Sequence, residues 1–512
     1  MRPRYAAGAA VFLASLAVFL AVAHAYGCVR IGGLRHWVLH DDFMISQRYA
    51  RNLARGAGLV FNPGERVEGF SDPLMVLGVC LPLEWMHVEA RRLGLYVWTV
   101  NGVFSGLIVL GLVYLPSTPR ARIAGVAAAL VYLTLPHHGF FARAGMEVYL
   151  QALCLMVVVA RLAAGGLAFH AALAALPLVH AMDLPLWLAA GLLRLWGQRR
   201  RWRGEALVLA LGSLPLAAYL AFRLAYYGSF VPNTYYTKAA GVVALRRGLE
   251  YLFYGGSWIV PLLAVAAAAV WKTRGTPQSA LPVLGFVFLP YLAYVAKLGG
   301  DNFEWYRFVF ILVPGLLALT AEAVASVPGP GFGALGAAAL AVQLAVNLWG
   351  YHHADGDNRW VVAWDRRRIA LGYAIGENVR PDQTVALFGI GNAAYFGDRR
   401  VIDMLGKTDL HIARTPAKKQ RWVGHQKDDP DYVMGRRPDF VEMDYSTADI
   451  QDVEWLEGER RRRWGYFADL ALDPTFRRDY RPVPSDRGFV PIYVRNGVPV
   501  ARWAVLPGLA RR

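Results

Sequence analysis

Residues 40–73 read HDDFMISQRYARNLARGAGLVFNPGERVEGFSDP, a polar stretch between two long apolar runs. It opens with two neighbouring carboxylates, Asp41 and Asp42. If the flanking runs cross a bilayer, this stretch lies at one membrane face, where a carboxylate pair can act on a lipid-linked substrate. The structural alternative is a helix cap, since Asp is a favoured residue at the start of a helix.

The residues after the aspartates have helical periodicity. Apolar side chains recur every four positions from Ile45 to Leu53, and arginines recur at spacings of three and four from Arg48 to Arg55. A helix with this pattern carries one apolar and one cationic stripe. We expect it to lie in the membrane interface, with its arginines near anionic head groups or phosphates. Gly56 supplies the break that ends it.

The composition is that of a membrane protein. Of 512 residues, 56% are hydrophobic and 18% are charged, and the mean hydropathy is +0.32, which is too apolar for an ordinary soluble protein. The net charge of +17 does not indicate nucleic-acid binding, because the basic residues cluster in short loops between apolar runs. The cysteines, Cys28, Cys80 and Cys154, show no metal-ligand spacing and are expected to be packing residues. No pattern indicates a cofactor, and the sequence leaves a divalent metal open.

About eleven apolar runs are candidate membrane helices. They cover residues 6–26, 94–115, 121–136, 147–164, 166–182, 184–197, 205–227, 250–271, 280–297, 305–323 and 330–350. Residues 74–88 are apolar too, but this run is short and contains Pro82 and Glu84, so we expect it to lie along the outer surface. With a cytoplasmic N-terminus, basic loops such as 116–122 and 198–203 then face the cytoplasm. Residues 23–25, AHA, also resemble a signal-peptidase site, and cleavage there would leave the next loop outside all the same.

The same topology collects unusual polar residues on the outer face. Any one of them could be a solvated or snorkelling side chain, but together with the aspartates they would ring a site at the helix ends. These residues are His137, Arg143, Glu147, Asn233, Tyr235, Tyr236, Lys238, Asp301, Glu304 and Arg307.

The sequence divides into a transmembrane domain at 1–350, with its first outer loop at 27–93, and a tail at 351–512 of soluble composition. An odd number of spans places the tail outside. An amphipathic run at 365–378 and apolar stretches TVALFGIG, RVIDMLG, DFVEM and FVPIYV predict a small α/β domain. Its polar run 424–439, which contains His425, is rich in groups that bind hydroxyls or anions.

Several motifs resemble one family. Besides residues 41–73, they are YYGSFVPNTYYTKA, the GGD before WYRF, DRRVIDMLGKTDLHIAR and GHQKDDPDYVMGRRPDFV. Together these look like the arabinofuranosyltransferase family that adds terminal β-1,2-linked arabinofuranose in the mycobacterial cell wall. The resemblance implies a GT-C glycosyltransferase of the bacterial inner membrane, with about eleven transmembrane helices and a periplasmic C-terminal domain. It also implies a decaprenyl- or undecaprenyl-phosphate arabinofuranose donor, a glycan or glycoconjugate acceptor, and a catalytic role for Asp41 and Asp42.

The chemistry of such a transfer fits the residue types. A carboxylate near the anomeric centre deprotonates the acceptor hydroxyl or stabilises an oxocarbenium-like centre, and cations hold the departing phosphate. Neighbouring aspartates point about 100° apart on a helix, so one is expected to act and the other to orient or bind. The sequence does not decide which.

The other candidates divide by the part of the substrate that they would bind. Lys238 and Arg307 are the first choices for the phosphate, with Arg143 and Arg48 as further candidates. Tyr235 and Tyr236 would line the sugar or prenyl groove. The remaining substrate-binding candidates are His137, Glu147, Asn233, Asp301 and His425.

Three alternatives stay open at this stage. A GT-C enzyme for another sugar, such as mannose or aminoarabinose, would carry the same kinds of residue. A transporter or flippase for a lipid-linked sugar would place its charges near the bilayer midplane in broken, repeated helices, whereas these charges lie in the outer loops. A scaffold that binds lipid-linked sugar without chemistry would need no carboxylate at the reacting centre.

Overall fold

The chain is largely helical in the computed structural model, which describes residues 3–116, 118–238, 243–273, 281–301, 303, 305–327, 330–418, 425–444, 447–459, 465–483, 492–500 and 503. Two short antiparallel strands, β1 (Cys28–Ile31) and β2 (Leu34–Trp37), follow the first helix. The helices before residue 330 are Pro3–Gly27, Asp41–Ala54, Pro73–Met75, Val76–Cys80, Leu81–Trp85, Ala90–Arg92, Leu93–Tyr114, Pro119–Leu133, His138–Ala144, Val148–Arg161, Leu167–Val179, Ala181–Asp183, Leu184–Gly197, Trp202–Gly212, Leu214–Tyr227, Asn233–Lys238, Val243–Ser257, Val260–Thr273, Leu281–Val283, Leu284–Phe288, Leu289–Leu298, Arg307–Phe310 and Val313–Ser326.

The eleven predicted spans are not confirmed. Within the described residues, three helices are long and apolar enough to cross a bilayer, Ala6–Gly27, Ala90–Tyr114 and Arg307–Ser326, and bent helix pairs raise the number to at most six. The predicted span 121–136 is an example of a run that does not form one span. Its helix ends at Leu133, and the next helix, His138–Ala144, is bent by 75° relative to it. Pro136 lies in this break. An apolar run in the sequence therefore does not correspond to one straight helix.

The helix Asp41–Ala54 forms where periodicity predicts it, but the prediction that its arginines contact lipid head groups is wrong for Arg48 and Arg51. Most of its residues are buried, the arginines Arg48 and Arg51 included. The helix Leu81–Trp85 packs against one side, and the Glu84 carboxylate accepts a hydrogen bond from the Gln47 side chain at 2.5 Å. The C-terminal domain covers another side, so the arginines bind protein instead of lipid.

One helix, Pro330–Asn378, connects the membrane part to the C-terminal domain. Its 49 residues correspond to a length of about 74 Å at 1.5 Å per residue. It runs without a break through residue 350, where the sequence suggests a domain boundary. Near its far end Asp365 accepts a hydrogen bond from Arg143 at 3.0 Å, and both side chains are fully buried. The helix is therefore fixed to the membrane part well beyond residue 350.

The C-terminal domain is built on a mixed five-stranded sheet. Its strands are β3 (Thr384–Leu387), β4 (Arg400–Asp403), β5 (Phe440–Glu442), β6 (Tyr480–Pro482) and β7 (Ile492–Arg495), in the order β4-β3-β5-β7-β6. The first three are parallel and the last two pairings are antiparallel. The helices are Asn392–Gly397, Leu410–Arg414, Pro430–Gly435, Thr447–Gln451, Val453–Glu459, Tyr466–Leu472 and Pro474–Asp479. The predicted α/β character is confirmed, although β6 has no apolar run that predicts it.

The first outer loop and this domain share a polar interface. The Arg48 guanidinium donates to the carbonyl oxygens of Phe61, Ala394 and Arg399, and it lies 4.5 Å from the centre of the Phe61 ring. Asn62 pairs with Val401 through both its amide nitrogen and its amide oxygen. Buried carbonyl groups need such donors, because an unsatisfied one costs about 1–3 kcal/mol.

We predict that Arg48→Ala destabilises the fold, because it removes three charge-assisted hydrogen bonds from the interface and leaves the carbonyl of Arg399 without its donor. The expected loss is about 3 kcal/mol or more of unfolding free energy, measured by thermal unfolding of the detergent-solubilised protein. Arg55→Ala is the matched control: its side chain is 55% exposed, and its ion pair with Asp398 should contribute less than about 1 kcal/mol. Equal losses in the two variants would contradict this description of the interface.

Candidate active site

Residues 40–42 start a helix, and this geometry separates the two aspartates. His40 is the N-cap residue of Asp41–Ala54 in extended conformation, and its ring accepts a hydrogen bond from the Asp42 backbone N–H at 3.2 Å. Asp41 is 7% exposed and faces the C-terminal domain. The Asp42 side chain is 27% exposed and lines a cavity. The two carboxylates therefore have different partners, as the sequence predicts, although both residues line the larger of two cavities.

Asp41 binds backbone groups of the C-terminal domain. Its carboxylate accepts hydrogen bonds from the N–H groups of Gly391 at 3.1 Å and Asn392 at 2.7 Å. Its own N–H donates to Asp365 at 3.1 Å. Burial raises the pKa of Asp41, against the opposing effects of the Arg368 charge and the two N–H groups. Asp41 thus has the contacts of a structural tether.

Asp42 forms an ion pair with a residue of the C-terminal domain. The Lys407 ammonium lies 2.6 Å from its carboxylate, and both side chains are partly exposed to the same space. Burial alone would raise the pKa of Asp42, but the charge of Lys407 and its hydrogen bond to the carboxylate bring the pKa below its ordinary value. Asp42 is therefore a persistent negative charge at the cavity wall.

Two cavities meet at this ion pair. The smaller has a volume of about 80 Å³, and its walls include the cations Lys238, Arg307 and Lys407. The larger, of about 460 Å³, lies between the membrane part and the C-terminal domain. Asp42 and Lys407 line both cavities, as do His425 and Phe303. A molecule in either cavity would reach the Asp42 carboxylate.

The smaller cavity balances its cations with buried carboxylates. Arg307 is bonded to Asp301 at 2.8 Å and to Glu147 at 3.1 Å. Lys238 lies 3.6 Å from Asp301 and is 24% exposed, so it is freer to bind a ligand than Arg307. Asp72 also lines this cavity. The arrangement can accept an anionic group if the cations exchange carboxylate partners for it.

The larger cavity has aromatic walls. Trp360 and Trp364 stack on each other along the long helix, with ring centres 6.2 Å apart. Phe388 and Tyr466 stack at 4.2 Å across from them in the C-terminal domain. Aromatic faces with a few polar groups between them are suited to the apolar faces and hydroxyls of sugar rings. Asp444 supplies a carboxylate at the same wall.

The loop that carries Lys407 is held in a fixed conformation. The Asp403 carboxylate accepts hydrogen bonds from the N–H groups two and five residues further on, and Gly406 has the positive φ that this turn requires. The Asn233 amide donates to three carbonyl oxygens of the loop, including those of Gly406 and Lys407. Asn233 therefore positions Lys407, which differs from the substrate contact expected for it.

The structure brings together only part of the predicted site. Asp42, Glu147, Lys238, Arg307 and His425 line the cavities, Asp41 lines the larger one, and Asp301 binds two of the cations. Five candidates lie away from the smaller cavity: Arg48, His137, Arg143, Tyr235 and Tyr236. Glu304 lies outside the described residues.

Each of these five side chains has another environment. Arg48 holds the interface described above, and Arg143 is buried against Asp365. His137 is surrounded by aromatic rings, among them Trp305 at 5.7 Å. Tyr235 is 43% exposed, and the Tyr236 ring faces Arg414. Charge and aromatic character at the outer face therefore did not suffice to predict which side chains point inward.

Other cavity residues were missed by sequence reasoning. Asp72 is part of the quoted stretch, and its place before Pro73, at the start of a helix, was the available signal. Lys407 lies in a quoted motif, but nothing local indicates that it reaches a residue 365 positions away. Trp360 and Trp364 are four apart on a helix, a spacing equally typical of packing. Within the described residues, no group of three His, Cys, Asp or Glu side chains could hold a metal ion.

Comparison with known proteins gives two curated relatives and one family model. Over 316 residues the chain is 30% identical to the terminal β-(1→2)-arabinofuranosyltransferase of Corynebacterium glutamicum, covering 53% of this chain and 46% of that protein. Over 285 residues it is 31% identical to the enzyme of the same name from Mycobacterium tuberculosis, covering 49% and 43%. The chain thus spans less than half the length of these relatives. Residues 358–492 match the model of a domain of unknown function (DUF8728). The resemblance to arabinofuranosyltransferases is confirmed.

A solved structure shares the fold. ArnT from Cupriavidus metallidurans in the apo state superposes with a TM-score of 0.52 over 86% of this chain and 94% of that one, at 13% identity. At this identity the likeness concerns the fold alone. It confirms a polytopic helical membrane protein with a soluble C-terminal domain.

We predict that the two aspartates contribute differently to stability. Asp41→Ala leaves two buried N–H groups unsatisfied and should lower the free energy of unfolding by about 2–3 kcal/mol. Asp42→Ala leaves the Lys407 ammonium without its partner, but at a cavity wall where water can solvate it, so it should cost less than Asp41→Ala. Thermal unfolding of both purified variants checks this. A larger loss for Asp42→Ala than for Asp41→Ala would reverse the assigned roles.

Proposed function

We propose that this protein is an integral-membrane glycosyltransferase of the GT-C type that transfers arabinofuranose from a polyprenyl-phosphate donor to an extracytoplasmic glycan or glycoconjugate. The observation that carries the proposal is the Asp42–Lys407 ion pair at the junction of a cationic and an aromatic cavity. The named relatives support arabinofuranose as the sugar. A GT-C transferase for another polyprenyl-phosphate sugar is the alternative.

The two cavities suit the two substrates. We assign the phosphate of the donor to the smaller cavity, where Lys238, Arg307 and Lys407 would exchange carboxylate partners for it. We assign the acceptor glycan to the aromatic cavity, where Trp360 and Tyr466 offer ring faces. Each substrate then approaches Asp42 from its own side, and the anomeric carbon lies between them.

In the reaction, the acceptor oxygen forms a bond with the anomeric carbon while the bond from that carbon to the phosphate oxygen breaks. Asp42 accepts the acceptor proton, and the polyprenyl phosphate leaves with the electron pair. An Asp42 held by Lys407 is a weak base. A donor phosphate competes for the Lys407 ammonium, and this exchange makes the carboxylate more basic when the donor is bound.

Asp41 and Asp42 have different roles in this proposal. Asp42 is the catalytic residue, and Asp41 is a positioning residue that keeps residues 40–42 against the C-terminal domain. The catalytic unit thus combines the membrane part proposed at 1–350 with the domain proposed at 351–512, since Lys407 comes from the latter. No step of the scheme requires a metal ion.

The direct test is a transfer assay. Purified protein receives radiolabelled decaprenyl-phosphate arabinofuranose and a panel of arabinan, lipopolysaccharide and protein acceptors, with polyprenyl-phosphate mannose and aminoarabinose as parallel donors. Of the three donors, only the arabinose donor should transfer its label to a glycan acceptor. Transfer from another donor would support the alternative sugar. Movement of the intact lipid-linked sugar from one leaflet of a proteoliposome to the other, without sugar transfer to an acceptor, would indicate a transporter.

The proposed topology makes a separate prediction. With the N-terminus cytoplasmic, the first outer loop and the C-terminal domain both lie in the periplasm, because the basic loops remain inside. Alkaline phosphatase fused after Gly64 or after Asp355 should be active, whereas green fluorescent protein at these positions should be dark. A cytoplasmic signal from either position would place the cavities on the wrong side for a periplasmic acceptor.

The ion pair predicts a pH effect. Because the pKa of Asp42 lies below its ordinary value, Asp42 stays ionised as pH falls below about 4. In Lys407→Met burial dominates and the pKa of Asp42 rises, so the acid limb of the residual transfer rate should move to higher pH. Lys418→Met, whose ammonium pairs with Asp428 and Asp469 instead, is the matched control. An acid limb unchanged in Lys407→Met would mean that Asp42 does not control the rate.

A further inference from the structure

His40 caps a helix, a role that a smaller polar residue could also fill. Its Nδ1 atom accepts the Asp42 backbone N–H at 3.2 Å and so caps the helix Asp41–Ala54. Ser, Thr, Asp and Asn are the residues preferred at this position, because a short side-chain oxygen suffices. The imidazole adds a second nitrogen atom, Nε2, which the cap does not use.

The hydrogen bond that His40 accepts as the cap determines which of its ring nitrogens carries the proton. A neutral imidazole has one donor and one acceptor nitrogen, and Nδ1 is the acceptor here, so the hydrogen is on Nε2. The ring stays neutral, since burial lowers the pKa of His40 to about 3; the charge of Asp42 opposes this shift, and the charges of Arg143, Lys407 and Arg307 add to it. His40 is therefore a fixed donor through Nε2.

The surroundings of the ring hold this donor at the larger cavity. The imidazole packs against Phe140 and Phe303, with ring centres 5.5 Å and 5.2 Å away and edge-to-face geometry. It lines the same cavity wall as Asp42 and Lys407. Its only hydrogen bond among the described residues is the one to the Asp42 backbone. Nε2 is thus a neutral donor at the wall of the proposed acceptor site, next to an anionic acceptor.

We propose that His40 is a positioning residue for the acceptor sugar: its Nε2–H donates to an acceptor hydroxyl oxygen and orients that sugar toward the Asp42 carboxylate. This inference rests on the proposed function and adds a specificity-determining contact to it. A neutral donor is suited to a sugar hydroxyl, because it discriminates by geometry and does not attract the donor phosphate away from Lys407.

The test uses variants that keep the cap and lose the donor. In His40→Asn and His40→Ser the short side chain still accepts the Asp42 N–H, but it places no donor at the position of Nε2. The measurements are the acceptor KM, the donor KM and the direct binding of a synthetic arabinofuranosyl disaccharide, all on the full-length purified protein. His36→Asn is the control, since His36 is a buried histidine bonded to Tyr373 and lines neither cavity.

Both His40 variants should unfold at the wild-type temperature, bind the disaccharide about threefold to tenfold more weakly, and show a matching rise in the acceptor KM with the donor KM unchanged. Unchanged binding in both variants would overturn the inference and leave His40 as a cap. A rise in the donor KM alone would overturn it as well. A wild-type protein that binds the disaccharide but transfers no sugar to it would contradict the proposed function, and the binding comparison would still decide the role of His40. Failure of the wild type to bind would overturn both.

Discussion

Asp41 accepts two backbone hydrogen bonds from Gly391 and Asn392, and this contact joins the first outer loop to the C-terminal domain. It requires a close approach of two backbone segments. A Cβ atom on Gly391 would lie 1.6 Å from the Asp41 carbonyl oxygen, so only glycine fits. The buried pair of Arg143 and Asp365 continues the same contact into the membrane part. Because Asp41 is fixed in this way, the next residue on the helix, Asp42, must point into the cavity.

The electrostatics of the site follow from the same contact. The domain that holds Asp41 also contributes Lys407 to Asp42, on a loop that Asn233 binds from the membrane part. The cations of the smaller cavity are paired with carboxylates. Pairing limits the cost of burying them. It also means that an anionic ligand must compete for cations that are already engaged, which favours groups with more than one negative oxygen, such as a phosphate.

The sequence was sufficient for features that depend on local pattern. The helix Asp41–Ala54 and the strands β3, β4 and β5 arise where periodicity and apolar runs predict them, and the two aspartates point apart as helix geometry requires. The partners of these elements were not predictable, because periodicity shows which side of a helix is polar but not what packs there. The arginines of that helix therefore looked suited to lipid, while Arg48 and Arg51 bind backbone carbonyl groups of the C-terminal domain. Lys407 could not be placed for the same reason, since its distance from Asp42 in sequence hides their contact.

In the proposed mechanism Asp42 acts and Asp41 positions it, and a comparison of their Asn variants distinguishes the two roles. The single-turnover rate of sugar transfer and the affinity for polyprenyl-phosphate donor would be measured for Asp41→Asn and Asp42→Asn at equal amounts of folded protein. We expect Asp42→Asn to bind the donor but to transfer sugar roughly a hundredfold to ten-thousandfold more slowly, because the amide has neither charge nor basicity. We expect Asp41→Asn, which keeps one acceptor oxygen for the backbone N–H groups, to lose less than about tenfold. Near-wild-type transfer by Asp42→Asn, or a greater loss in Asp41→Asn, would contradict these roles.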